Sequence, residues 1–99
     1  MKLLIDDIRT FDIEELVIVR SYKAGIDNLR TGKVDTLFLD HDLGGEKTGK
    51  DILKWCEANF IWPREIILVT NNPVGRRNME RILVYNNYMM QSPVYFIKE

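Results

Sequence analysis

The stretch Lys2-Leu3-Leu4-Ile5-Asp6-Asp7 decides the fold: a short, nearly unbroken apolar run that stops abruptly on two carboxylates. Strict alternation of apolar and polar residues would mark a strand with one wet face. A continuous run instead marks a strand covered on both faces, the pattern of a parallel sheet. Leu16-Val17-Ile18-Val19-Arg20, Thr36-Leu37-Phe38-Leu39, Glu65-Ile66-Ile67-Leu68-Val69 and Val94-Tyr95-Phe96-Ile97 have the same character, so five strands are expected.

Between them, apolar residues return every three or four positions, as on one face of a helix. Ser21 can cap a helix over about residues 22 to 31, with Tyr22, Ile26 and Leu29 inward and Gly32 as its stop. Thr48 and Asp51 resemble a capping box ahead of a helix near 49 to 60 that buries Ile52, Trp55, Cys56 and Phe60, with Trp62-Pro63 beyond it. Asn72-Pro73 opens a third helix, carrying Met79, Ile82 and Leu83 inward and reaching about residue 88. Ile8 to Glu15 is too short for a crossover helix with its loops, so the first connection is reduced.

The whole chain, residues 1–99, reads as one α/β domain. No apolar run approaches the roughly 20 residues that a bilayer crossing needs. The start lacks the pattern of a signal peptide, and the single cysteine, Cys56, leaves no internal disulfide, so a cytoplasmic protein with no membrane partner is expected. A net charge of -1, from 14 basic and 15 acidic side chains, gives no global field that would draw the chain onto nucleic acid. Any such contact has to be local.

In an open parallel sheet, ligands bind beyond the carboxyl ends of the strands. Asp6 and Asp7 follow the first strand, Asp40-His41-Asp42 the third, Thr70-Asn71-Asn72 the fourth, and Lys98 closes the fifth, so all are expected at one edge. Carboxylates gathered there repel one another, and a hard cation such as Mg²⁺ relieves the repulsion while leaving positions for phosphate oxygens. Asp6, Asp7, Asp40 and Asp42 are the candidate ligands. Asn72-Pro73-Val74-Gly75-Arg76 reads as an anion cradle: a helix N-terminus, a glycine permitting close approach and a guanidinium. His41, between two aspartates, can be held in one tautomer for proton transfer. The blander readings are a simple N-cap for Asn72, solvated helix charges for Arg76 and Arg77, and turn formers for single aspartates.

Taken together, Ile5-Asp6-Asp7-Ile8-Arg9, Thr31-Gly32-Lys33-Val34, Leu39-Asp40-His41-Asp42-Leu43-Gly44, Thr48-Gly49-Lys50-Asp51-Ile52-Leu53-Lys54-Trp55 and Asn72-Pro73-Val74-Gly75-Arg76-Arg77-Asn78-Met79 resemble the cyclic-phosphate processing receiver domains, a branch of the response-regulator receivers. The resemblance spans residues 2 to about 83. It implies a three-layer, flavodoxin-like fold with a mainly parallel sheet in the order 2-1-3-4-5 and a reduced first crossover, and no terminal helix is expected after the fifth strand. It also implies action on cyclic phosphates at RNA ends or in nucleotides, with Asp40 and His41 as the catalytic candidates and Arg9, Thr70, Asn72, Gly75, Arg76 and Arg77 facing phosphate or RNA.

The chain departs from that pattern at Val69-Thr70, where the family usually shows His-Ser, and at Ile8, where it shows an acidic residue. Recognition of a phosphate-bearing RNA end or nucleotide is therefore expected ahead of turnover. Turnover would be that of a metal-dependent phosphoesterase. Two other readings stay open. One is a phosphoacceptor with Asp6 and Asp7 on Mg²⁺, Asp40 phosphorylated, Thr70 as switch and Lys98 as charge partner. The other is a non-enzymatic phage or mobile-element protein that binds host RNA or protein, with Arg76, Arg77, Arg81, Lys50 and Lys54 as a local basic contact.

Overall fold

The computed structural model describes residues 1–99 and orders them as β1 (Lys2–Ile5), β2 (Leu16–Val19), α1 (Tyr22–Leu29), β3 (Thr36–Leu39), α2 (Gly49–Asn59), β4 (Glu65–Leu68), α3 (Pro73–Tyr85), β5 (Tyr88–Met90) and β6 (Tyr95–Lys98). The sheet has six strands in the order β2-β1-β3-β4-β6-β5. β2, β1, β3 and β4 run parallel, while β6 runs antiparallel to β4 and β5 antiparallel to β6. The apolar runs were read at the right places, but the last one enters the sheet from the opposite direction.

The extra strand arises where the third helix ends early. Asn86 closes α3, and Asn87 turns the chain with a φ of 68°, a left-handed conformation that asparagine tolerates. Tyr88, expected on the helix, instead begins β5. Its hydroxyl donates to the carbonyl of Pro63, and its ring meets Trp62 edge-on with centroids 5.4 Å apart. The other helix boundaries follow their caps. Ser21 accepts the N–H of Ala24 at 3.2 Å, Thr48 donates its N–H to the Asp51 carboxylate at 2.8 Å, and Asn72 accepts the N–H of Gly75 at 3.0 Å.

The fold has two layers, where three were expected. One continuous core joins Ile26 and Leu29 of α1, Ile52, Leu53 and Cys56 of α2, and Met79 and Leu83 of α3 to Leu3, Ile5, Leu37, Leu39, Ile66, Leu68 and Phe96 of the sheet. Those strand residues share one parity and hence one face. All three helices therefore cover the same face. The handedness of crossovers explains this: β2 to β3 and β3 to β4 step in the same direction across the sheet, so right-handed connections put α1 and α2 on the same side. A helix between β1 and β2, stepping the other way, would cover the opposite side, and that connection is a loop without a helix. Leu4 is fully buried yet outside the core, enclosed in register between Ile18 and Phe38, while Phe11 of the loop meets Phe38 edge-on at 5.9 Å.

No helix is long and apolar enough to cross a membrane. Cys56, the one cysteine, is buried and free, and burial pushes its thiol up to about 12.

Candidate functional site

At the carboxyl end of β1 the chain reverses around Asp6. One oxygen of its buried carboxylate accepts the N–H groups of Ile8 and Arg9, both at 3.0 Å. That turn folds the Arg9 side chain back, so that Nη1 lies 3.0 Å from Asp6 Oδ2 and 3.2 Å from Asp40 Oδ2. Arg20, just past β2, fastens the same loop: its guanidinium donates to the carbonyls of Asp6 and Arg9 and, at 2.9 Å, to the hydroxyl of Thr10. Arg20 was not singled out in the sequence, where it reads as the polar end of a strand. Its role as a strap for a loop without a helix appears only once the loop is folded.

The environment drives the two buried carboxylates apart. Burial raises the Asp6 carboxyl, but the N–H groups of Arg9 and Ile8 and the Arg9 guanidinium outweigh it and hold Asp6 below the usual carboxylate range. Burial also raises Asp40, and the charge on Asp6 raises it further. Hydrogen bonds from the Thr70 hydroxyl and the His41 and Asp42 backbone do not offset this, so Asp40 stays above the usual range. Asp6 is thus the fixed anion and Asp40 the member of the pair that takes up a proton more readily.

Asp6, Asp7 and Asp40 come together, each offering one ligand atom within 4.8 Å of the others. Three hard oxygen donors at that spacing suit a cation of the Mg²⁺ type. Arg9 already meets the charge of two of them, so a cation entering between Asp6 and Asp40 competes with that guanidinium. Asp42 is not in this group. It is exposed, its backbone forms an antiparallel bridge with Thr48, and its carboxylate accepts from His41 Nδ1 at 3.1 Å.

His41 belongs to the same edge. Nδ1–H directed at Asp42 leaves Nε2 as the free lone pair of the neutral ring. The amide of Asn72 also approaches Nδ1, at 3.5 Å. The loop that carries His41 is pinned where the N–H of Gly49 donates to the His41 carbonyl at 2.8 Å, and a Cβ on Gly49 would lie 2.1 Å from the Asp40 carbonyl oxygen. Thr70 acts on both strand ends: its hydroxyl lowers the Asp40 carboxyl and accepts the N–H of Asn72 at 3.0 Å.

The expected anion cradle is narrower than its sequence suggested. Asn72 consumes the N–H of Gly75 with its side chain and that of Arg76 with its carbonyl at 2.9 Å, and Pro73 has none, which leaves Val74. Arg76 turns toward the β5–β6 turn, donating to the Pro93 carbonyl at 3.3 Å and lying 3.6 Å from Glu80. Arg77 is exposed and makes no ion pair.

Lys98 lies at the wrong edge for the part expected of it. Since β6 is antiparallel, its last residues meet the start of β4: Ile97 pairs with Glu65, and the N–H of Lys98 bonds the Arg64 carbonyl at 2.8 Å. The ammonium bonds the Asn86 carbonyl and sits over Trp62 and Tyr88, 5.5 and 5.3 Å from their centroids. It is a structural cation at the opposite edge of the sheet from Asp40, and the charge partner of the phosphoacceptor reading is not there.

The sequence model of the cyclic-phosphate processing receiver domains matches residues 1–84, from β1 through nearly all of α3. The chain belongs to this family. The match covers every residue of the carboxylate group, His41 and the α3 N-terminus of this cyclic-phosphate processing receiver, and stops before the β5–β6 hairpin. No curated protein and no solved structure matches the chain.

Proposed function

We propose that this receiver domain recognises the terminal phosphate of an RNA end or a nucleotide at the edge formed by Asp6, Asp7, Asp40 and His41. The observation that carries the reading is the convergence of those three carboxylates with Arg9 and the Asp42-held imidazole, in a family whose business is cyclic phosphate. Mg²⁺ held by Asp6, Asp7 and Asp40 would supply the positive charge that lets phosphate oxygens approach an acidic site. The remaining work falls to the chain itself. Arg9 bridges Asp6 and Asp40, Asp42 fixes the tautomer of His41, and Asn72 and Val74 offer neutral N–H donors from α3.

Recognition is favoured over turnover because Val69, at the position where the family shows a histidine, offers no second imidazole to work with His41. The test is calorimetric titration of 2′,3′-cyclic AMP in the presence of Mg²⁺ against wild type, Asp7→Asn and His41→Gln. Binding by wild type and at least tenfold loss in both variants, with unchanged melting temperatures, is expected. Equal affinity in all three proteins would remove the reading.

A further inference from the structure

An open cleft of about 550 Å³ runs from Asp7 between the start of α1 and the loop after β3, a volume within the range of sites that take a small molecule. Its walls are chemically uneven. Asp7 is shared with the carboxylate group, and Arg20, Lys23 and Lys47 line the rest with one further carboxylate, Glu46, and the ring of Tyr22. The loop after β3 contributes Gly44 and Gly45 beside Leu43, Glu46 and Lys47. Gly44, with a φ of 76°, passes Asp7 so that a Cβ would lie 3.5 Å from the Asp7 Cβ, and a Cβ on Gly45 would meet nothing within 4 Å. Tyr22 packs one side on the core and offers its ring to the Lys47 ammonium, 5.6 Å from the centroid. Lys23 is paired with Asp27 at 2.9 Å, whereas Lys47 has no carboxylate partner.

We infer that this cleft takes the penultimate nucleotide, the one joined to the nucleotide that bears the terminal phosphate, with its base on Tyr22 and the linking phosphate toward Lys47, so that the ligand is an RNA end of two or more nucleotides rather than a free mononucleotide. The inference rests on the phosphate reading of the Asp6, Asp7 and Asp40 edge. A ligand anchored there is led into the cleft by Asp7, which belongs to both. A base that stacks on Tyr22 moves the Lys47 ammonium off the ring and onto the phosphate, because every base has a face to stack while the phosphate needs a countercharge.

Three probes separate the two readings: inorganic phosphate, 2′,3′-cyclic AMP, and the dinucleotide ApA ending in a 2′,3′-cyclic phosphate, each titrated with Mg²⁺ by calorimetry and amide NMR. The dinucleotide is expected to bind roughly 5- to 100-fold tighter than the mononucleotide, the range one stacked base supplies, and to shift Tyr22, Gly44 and Gly45 as well as Asp7 and His41. Tyr22→Leu, which keeps an apolar side chain against the core, is expected to abolish that advantage and leave the mononucleotide unchanged. Lys47→Gln is expected to lower the salt dependence of dinucleotide binding by about one phosphate contact. Equal affinity for the two nucleotides, or an advantage that survives Tyr22→Leu, overturns the cleft while leaving the edge intact. No shift at Asp7 and His41 with any probe overturns the edge reading itself.

Discussion

The backbone of Gly75 passes so close to the imidazole of His41 that a Cβ there would lie 2.5 Å from both Cγ and Cδ2 of the ring. The glycine in the first turn of α3 is therefore what lets the ring rest against the helix within reach of Asn72. In Gly75→Ala the ring is expected to swing away, since it ends a loop side chain with room to move, at a stability cost of about 1–2 kcal/mol. Nitrogen chemical shifts of the imidazole should lose the Nδ1–H pattern set by Asp42, and affinity for cyclic nucleotide should fall as far as in His41→Gln. A wild-type nitrogen pattern would count against the contact.

Gly49 has no such freedom around it. A Cβ would press on the carbonyl of Asp40, backbone rather than side chain, with Met79 Sδ 2.8 Å away on another side. Gly49→Ala is expected to destabilise the protein by about 3 kcal/mol or more, read as a drop in the urea midpoint. An unchanged midpoint would mean that the loop after β3 is not pinned as described.

Arg9 and a divalent cation compete for Asp6 and Asp40. Arg9→Gln removes the guanidinium and leaves two buried carboxylates facing each other, costing about 1–3 kcal/mol in metal-free buffer. Millimolar Mg²⁺ should then raise the melting temperature of the variant more than that of wild type, because a ligand that binds only the folded state stabilises it by mass action. Equal responses in the two proteins would dismiss the competition.

The Asp6 and Asp40 shifts have opposite signs in a pH titration of stability. Asp6, held below the usual range, contributes stability above about pH 4 that disappears as pH falls through its lowered value. Asp40, held above that range, costs the fold when ionised, and the cost fades as pH falls from its raised value toward about 4. Asp40→Asn should therefore melt a few degrees above wild type at pH 7, with the difference vanishing near pH 4. A wild type that is the more stable at pH 7 contradicts the assignment.

Lys98→Met keeps an apolar stem over Trp62 and Tyr88 and loses the bond to Asn86. It should cost about 1 kcal/mol and leave nucleotide affinity untouched. In a phosphoacceptor with Lys98 at the phosphoryl site the lysine would be indispensable, so a loss of binding in this variant would revive that reading.

What could be read from the sequence, and what could not, divides along physical lines. Strands announced themselves by continuous apolar runs, and their carboxyl ends located Asp6, Asp7 and Asp40 because a parallel sheet gathers those ends. The direction of β6 was hidden, for Tyr95-Phe96-Ile97 is equally apolar read either way, and Lys98 was misplaced along with it. β5 was hidden because no glycine or proline stands between Leu83 and Tyr88 to stop the helix, and only the left-handed turn at Asn87 ends it. Asp42 looked like a fourth ligand by proximity in sequence, but its bridge to Thr48 turns it outward to His41. The two layers in place of three follow from the short Ile8 to Glu15 segment, whose length was noticed while its consequence for one face of the sheet was not.

That segment serves both sides of the sheet at once. Its beginning bends around Asp6 and delivers Arg9 to the carboxylates, and its middle lays Phe11 on Phe38 above the buried Leu4. Local opening of this one loop would wet the far face and pull Arg9 from the carboxylates in a single event. Occupancy of the edge should accordingly slow amide exchange on the opposite face, at Leu4 and Phe38, where no ligand atom can reach.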